Sequence, residues 1–183
     1  MWKMAGIVAG LGFGVSPALA NPFSGERDVM LHSGEGAPIK VAQIAFQPSG
    51  DAAQYKITWD DSVFSDHFLS MRPFKCLEGA EKLWCRVPYP YAIARVASDE
   101  DLTDLEYDLM FVWKNEGEYG IDLWNGVYYD IAPSGDILVG TMHDFDMNVI
   151  ASPPEDGNLR PIESGDLEEA DADSHWLPKL TIE

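Results

Sequence analysis

Short runs in which apolar and polar residues alternate fill most of the chain after its first twenty positions. The clearest run is 54–59, where Tyr55, Ile57 and Trp59 alternate with polar neighbours, a pattern typical of a strand with one buried face. Similar stretches lie at 39–46, 67–76, 83–89, 127–131, 137–142 and 145–150. With turn residues between them, they predict a mainly β fold of about eight to ten short strands, a small antiparallel barrel or a sandwich, with little helix.

Two segments allow alternative interpretations. Along 102–113, a helical spacing competes with a longer strand-like alternation over 105–113 that is richer in aromatic residues, and we favour the strand. The dipeptide Asn125-Gly126 predicts a hairpin between 119–124 and 127–131, because both residues tolerate the positive φ of a tight turn. The alternative is one long strand with a bulge at Gly126.

The sequences Gly-Val-Tyr-Tyr-Asp-Ile at 126–131 and Gly-Asp-Ile-Leu-Val-Gly at 135–140 resemble hairpins of small exported lipocalin-like domains. The resemblance covers two strands only, so it suggests an architecture and not a family. It implies that the predicted barrel is lipocalin-like.

The N-terminus has the pattern of an export signal. Lys3 precedes an apolar run at 5–15, and Ala18-Leu19-Ala20 fits a signal-peptidase site. We therefore expect 1–20 to be a cleaved signal peptide, and we expect no membrane span after cleavage. The expected compartment is the periplasm, with secretion as the alternative.

Composition then divides the remaining chain. We expect an irregular N-terminal segment at 21–37, because it is rich in Gly and Pro, followed by a β domain at 38–151. Residues 152–183 carry nine acids against two Lys or Arg. Because like charges at this density repel one another, we expect an acidic, partly disordered tail.

Cys76 and Cys85 are the only cysteines in the chain. If Gly79 to Lys82 form a four-residue hairpin loop, the two cysteines face each other across an antiparallel ladder, at a separation that suits a disulfide. Export makes oxidation the expected state. The sequence therefore predicts a Cys76–Cys85 disulfide.

The charge of the chain excludes some functions and locates one candidate site. A formal charge of −19 argues against nucleic-acid binding, which needs clustered Lys and Arg. Five cations nevertheless fall between positions 72 and 95, with only two acids among them: Arg72, Lys75, Lys82, Arg86 and Arg95. Because arginine beside aromatic rings suits a carboxylate or phosphate, this segment is a candidate anion site.

We therefore predict a ligand-binding site on a non-catalytic binding or accessory protein whose ligand is a small apolar or anionic molecule. The predicted contacts are Arg72, Arg86, Trp84 and Tyr89 at the mouth of the barrel, and Tyr107, Phe111 and Trp113 inside it. The aromatic residues of this region would instead fill the core if the barrel has no cavity. We predict no cofactor, no metal and no catalytic residue.

Two weaker signals point to other chemistry. Residues 142–147 hold side chains that suit copper or calcium, but alternation along a strand would divide them between two faces, with His143, Phe145 and Met147 toward the core. Asp66-His67 offers an acid and a base, yet neighbours on a strand point apart. The alternative functions are an envelope protein–protein interaction module, which predicts a filled core and an exposed aromatic patch, and a hydrolase without a recognisable motif.

Overall fold

The computed structural model describes residues 21–70, 72–153 and 157–183, so the predicted signal peptide lies outside the described residues. Twelve strands and one short α-helix form the fold. The strands are β1 Gly25–His32, β2 Ile39–Ser49, β3 Ala52–Trp59, β4 Ser65–Phe68, β5 Pro73–Glu78, β6 Lys82–Arg86, β7 Val96–Ser98, β8 Phe111–Asn115, β9 Gly126–Ser134, β10 Ile137–Phe145, β11 Leu167–Glu169 and β12 Lys179–Ile182. The helix is α1 Thr103–Asp108, and 3₁₀ turns span Asp61–Val63, Leu123–Asn125, Met147–Ile150 and Ser164–Asp166.

All strands belong to one antiparallel sheet, which confirms the predicted mainly β class with little helix. The order across the sheet is β4-β5-β6-β8-β9-β10-β12-β1-β2-β3-β7, and β11 adds to β10. Among the described residues the two ends of this order do not pair, so the sheet is not closed into a barrel by backbone hydrogen bonds.

Both segments that were expected to lack regular structure, 21–37 and the tail at 152–183, contribute strands. The segment 21–37 contains β1, which corrects the expectation of an irregular N-terminal segment. The tail contributes β11 and β12, and β12 pairs with β10 on one side and β1 on the other. Leu180 and Ile182 of β12 are buried, because the apolar end of this acidic segment supplies a central strand. That part of the predicted disordered tail is therefore ordered.

The sheet curls so that strands far apart in its order touch through their side chains. Trp59 of β3, the tenth strand in the order, packs edge-on against Phe111 of β8, the fourth, with ring centroids 6.0 Å apart. The enclosed face carries the larger core, which includes Ile44, Leu138 and Tyr129. A second core lies on the other face, around the disulfide and Tyr128.

One local prediction was wrong in part and another was wrong throughout. The strand favoured over 105–113 is present only at its end, where Phe111 begins β8. Residues 103–108 form α1, with Leu105 in the first core and Tyr107 in the second, because a helix can serve both cores at once. A hairpin does not form at Asn125-Gly126. Residues Leu123–Asn125 make a 3₁₀ turn, and Gly126 begins β9 with an extended backbone (φ −65°, ψ 140°). The bulge alternative fails for the same reason, since 119–124 is not a strand.

Candidate functional site

The structure divides the predicted ligand contacts among three places. Trp84, Phe111 and Trp113 lie on the enclosed face of the sheet, and Trp84 is fully buried in its core. Tyr89 and Tyr107 lie in the second core. Arg72 and Arg86 line one cleft at the end of β5 and β6, which is completed by Pro73, Phe74, Lys75 and Pro88.

The aromatic residues expected inside a cavity fill the core instead. Phe111 and Tyr129 pack edge-on with centroids 6.3 Å apart, and both are fully buried. The Tyr129 hydroxyl donates a hydrogen bond of 2.8 Å to the Leu177 carbonyl, which ties the C-terminal segment to the sheet. Burial raises the pKa of Tyr129, so the phenol stays neutral and acts as a donor. Trp84, which was predicted at the mouth of the site, is also fully buried in this core.

Tyr89 and Tyr107, two of the predicted contacts, bind the chain that follows residue 157. Their rings pack at 4.6 Å between centroids. The Tyr89 hydroxyl donates to the Leu159 carbonyl, and the Tyr107 hydroxyl accepts from the Ile162 amide at 2.7 Å. Burial raises the pKa of Tyr89 to about 12. These two tyrosines thus anchor the C-terminal segment.

The remaining candidate site is the cleft of Arg72, Lys75 and Arg86, which we call the cationic cleft. It has a volume of about 160 Å³. The disulfide sets its geometry, because Cys76 faces Cys85 across β5 and β6 as predicted, and the two are bonded. Lys75 precedes one cysteine and Arg86 follows the other. Since side chains alternate along a strand, both cations point away from the core that buries the disulfide.

Arg86 is held firmly on one side of this cleft. Its guanidinium lies over the Trp59 ring, 3.8 Å from the centroid, and 5.5 Å from that of Phe64. Nη1 also donates to Asp61 Oδ1 at 3.2 Å. Burial lowers the pKa of Arg86, while Asp61 opposes that shift, and an arginine remains charged at neutral pH in either case. Asp61 is its only side-chain acceptor among the described residues.

The other two cations are more open to solvent. Lys75 Nζ forms an ion pair with Asp66 Oδ1 at 3.0 Å, and both side chains are partly exposed to solvent. Arg72 is exposed, and its guanidinium lies 5.8 Å from the centroid of the Phe74 ring. No carboxylate of the described residues pairs with Arg72. Counting only the described residues, the cleft therefore offers Arg72 without a paired carboxylate beside two cations that are partly compensated, over an aromatic and proline-rich surface.

The catalytic alternatives do not assemble. Asp66 pairs with Lys75 instead of His67. His67 Nε2 instead lies 2.8 Å from Glu78 Oε1, and this contact is the largest of the causes that lower the pKa of Glu78. Among the described residues the histidine is therefore paired with Glu78, and the Asp66–His67 pair that the sequence offered does not form.

The metal candidates at 142–147 are also separated. Met142 is buried in the first core, and Phe145 and Met147 are buried in the second. The predicted division between two faces is therefore present, although Met142 faces a core and not solvent. Asp144 pairs with His175 at 3.1 Å, and Asp146 caps a 3₁₀ turn by accepting from Asn148. Within the part of the chain that the structure describes, no three potential ligands among His, Cys, Asp and Glu gather.

The sequence did not reveal the partners that shape the cationic cleft. Trp59 supports Arg86 from the far end of the sheet order, and Phe64 supports it from the residue directly before β4. Nothing in the local sequence signals either approach. The charge clustering was therefore the one available signal.

No protein-family model, curated protein or solved structure matches this chain. Across residues 21–70, 72–153 and 157–183, no helix combines the length and the apolar character needed to cross a membrane. The function must therefore be argued from the site itself.

Proposed function

We propose that this chain is a non-catalytic binding protein that holds a small anionic group in the cationic cleft. The observation that carries the proposal is that Arg72, Lys75 and Arg86 line one cleft, in a chain whose net charge is −19. Guanidinium groups donate paired hydrogen bonds that match the oxygens of carboxylate, phosphate or sulfate.

The dimensions of the cleft select the kind of ligand. Its 160 Å³ is well below the ~300 Å³ at which sites for whole drug-sized ligands begin. The core of the enclosed face is occupied by Trp84, Phe111 and Tyr129. These features favour an anionic group, free or at the end of a larger molecule, over an apolar ligand in an internal cavity.

The surrounding charges make the cleft a local exception on an acidic protein. A strongly negative surface repels anions at long range, and screening confines this repulsion to about 10 Å at 0.1 M salt. Anion binding should therefore depend on direct contact with Arg72, whose charge is exposed. At low salt, where the repulsion is less screened, a higher anion concentration should be needed to saturate the site. Arg86, already stacked and oriented, adds donors at little further cost in side-chain entropy.

An equilibrium titration with inorganic phosphate, and in parallel with acetate, tests the proposal. We expect saturable binding to the full chain, weakened about tenfold by Arg72→Ala because one charge-assisted contact is lost. Arg72→Lys should recover part of the affinity, since it keeps the charge without the planar donor pair. Arg27→Ala is the matched control, because it removes the same charge from β1, where Arg27 binds backbone carbonyls.

Equal weakening by Arg27→Ala would show that the anion responds to net charge alone and would refute the site. The proposal also fails if neither anion saturates the protein at concentrations up to tens of millimolar.

We also propose that the protein works in the periplasm, with secretion as the alternative. The support is the leader-like sequence at 1–20 and the disulfide, which oxidising compartments favour. Cell fractionation with measurement of the mature mass tests it. We expect a protein that begins at Asn21 outside the cytoplasm, and an intact cytoplasmic chain would contradict the proposal.

A further inference from the structure

Two large aromatic side chains stand out from the surface near the start of β9. Tyr119 is fully exposed and Trp124 is 70% exposed. Both line one open cleft of about 590 Å³, together with Ile121 and Leu123. We call these four residues the aromatic surface. A tryptophan exposed to this degree leaves apolar area in water, which marks a candidate contact surface when it is contiguous with other apolar groups.

Local hydrogen bonds hold the first half of this surface in place. The buried Lys114 ammonium donates to the carbonyls of Glu118 and, at 3.2 Å, of Gly120. The Glu118 carboxylate accepts from the Asn115 side chain at 2.8 Å. Lysine is seldom buried without a charged partner, and here its charge organises the loop that displays Tyr119.

The second half rests on a close approach of backbone. Asp122 caps the 3₁₀ turn by accepting from the Trp124 amide at 3.1 Å. A Cβ at Gly126 would lie 2.5 Å from the Phe145 carbonyl and 2.7 Å from the Met147 side chain. Glycine is therefore needed where the turn joins β9, and the turn fixes the backbone that carries the exposed Trp124.

Acidic side chains flank the aromatic surface on both sides. Glu118 and Asp122 line the cleft that holds Tyr119. Trp124 also lines a second cleft of about 310 Å³, whose acids are Asp144, Asp146, Asp166 and Glu168. The one cation lining either cleft is Lys114, which is buried and already hydrogen-bonded. The charge that this surface presents to a partner is thus negative.

We propose that the aromatic surface docks a segment of another protein in which lysine or arginine lies beside an apolar side chain. The apolar side chain would cover Tyr119 and Trp124. A cation over the Trp124 ring would gain both the ring quadrupole and the neighbouring carboxylates. The net charge of −19 would speed encounter with such a basic partner. This inference does not depend on the cationic cleft, which lies on other strands.

A titration followed by the indole N–H resonances of the full chain tests the proposal directly. The probe is a synthetic peptide of alternating lysine and leucine, and Trp124→Phe identifies the Trp124 resonance by its loss. We expect that resonance to shift saturably. Isothermal titration calorimetry gives the Kd of every variant, including those that lack the Trp124 indole. The Kd should rise about tenfold in Trp124→Ala, because a well-packed aromatic anchor is lost, and a few-fold in Glu168→Gln. Added salt at about 0.5 M should also weaken binding.

Matched controls distinguish binding at the aromatic surface from nonspecific hydrophobic binding and from attraction to the net negative charge of the protein. Phe68→Ala removes another exposed aromatic side chain, 74% exposed on β4, and should leave the Kd unchanged. The same peptide with acetylated lysines should bind at least tenfold more weakly, because its cations are gone.

Three results would overturn the proposal: no shift of the Trp124 resonance at millimolar peptide, equal binding of the acetylated peptide, or unchanged binding by Trp124→Ala. Sedimentation of the chain alone distinguishes another occupant. If the chain self-associates and Trp124→Ala abolishes the association, the surface belongs to a second copy and the basic-partner proposal is wrong.

Discussion

The guanidinium of Arg86 stacks on the ring of Trp59, with 3.8 Å between the guanidinium carbon and the ring centroid. These residues belong to the third and the tenth strands of the sheet order. The contact therefore joins two distant parts of a sheet that backbone hydrogen bonds leave open. It also fixes the direction of a guanidinium that lines the cationic cleft, so one side chain serves both the fold and the proposed site.

Replacing Arg86 tests its part in the fold. We expect Arg86→Ala to lower the free energy of unfolding by about 1–2 kcal/mol, because a partly desolvated cation–π contact and an ion pair are lost together. Urea unfolding measures the change. Arg72→Ala serves as control and should shift stability by less than about 0.5 kcal/mol, since Arg72 is exposed. Equal effects of the two variants would contradict the bridging role of Arg86.

Loss of the disulfide beside the cationic cleft should lower the free energy of unfolding. Cys76 and Cys85 are fully buried and close a short loop. Opening a loop of about ten residues should cost roughly 2.7 kcal/mol in the chain-entropy model. Urea unfolding of the double variant Cys76→Ser with Cys85→Ser, against the oxidised wild type, measures this cost. Unchanged stability of the variant would show that the bridge does not constrain the unfolded chain.

Arg160 should be worth more to stability than a surface arginine. Its Nε donates to Asp104 Oδ1 at 2.7 Å, and its Nη1 pairs with Asp101 at 2.7 Å. Asp104 is fully buried, so Arg160→Ala would leave a buried carboxylate without its cation, at a cost of about 3–5 kcal/mol. The double variant Arg160→Ala with Asp104→Asn should recover much of this loss. A cost below about 1 kcal/mol for Arg160→Ala would contradict the pairing.

Glu106 should make stability fall as the pH rises. The residue is buried, and it accepts hydrogen bonds from the Tyr128 hydroxyl and, at 2.9 Å, from the Ile131 amide. Burial raises the pKa of its carboxyl above the ordinary 4.5, against the opposing effect of these donors. The folded state therefore holds its proton more tightly than the unfolded chain. The associated stability is complete below the ordinary pKa and is lost as the pH rises through the raised one.

The substitution Glu106→Gln removes the titrating carboxyl and so measures how much Glu106 contributes to the pH dependence of stability. We expect the stability of the variant, relative to wild type, to increase as the pH is raised from about 4 to about 8. Unfolding free energies measured at several pH values give the comparison. A relative stability that stays constant, or that decreases with pH, would refute the predicted direction.

The sequence predicts the disulfide and the β class because both follow from local spacing. The loop between Cys76 and Cys85 fixes the register of β5 and β6, and alternation marks strands such as β3. The hairpin predicted at Asn125-Gly126 was wrong because a tertiary contact, and not a tight turn, requires the glycine. Gly126 is required by the close approach of the Phe145 carbonyl, not by a positive φ. That contact joins β9 to the end of β10 and leaves no trace in the local pattern.

The candidate site was predictable only in part, and the limit is again tertiary packing. Charge clustering located Arg72 and Arg86, since Arg72 directly precedes β5 and Arg86 ends β6, the two strands that the disulfide joins. The cluster does not reveal that Trp84 faces the filled core or that Tyr89 binds the Leu159 carbonyl. The acidic composition of 152–183 suggested a tail that resists folding. Leu177 and β12 are nevertheless buried in the first core, because a few apolar residues outweigh the charge around them.

The most direct test of anion binding is to follow the arginine Nε–Hε resonances of the full chain during titration with inorganic phosphate. The cationic cleft predicts that the Arg72 and Arg86 resonances shift and saturate with one common Kd, while the Arg27 resonance stays in place. Shifts of equal size at all three arginines, or no saturation at Arg72 and Arg86, would contradict it.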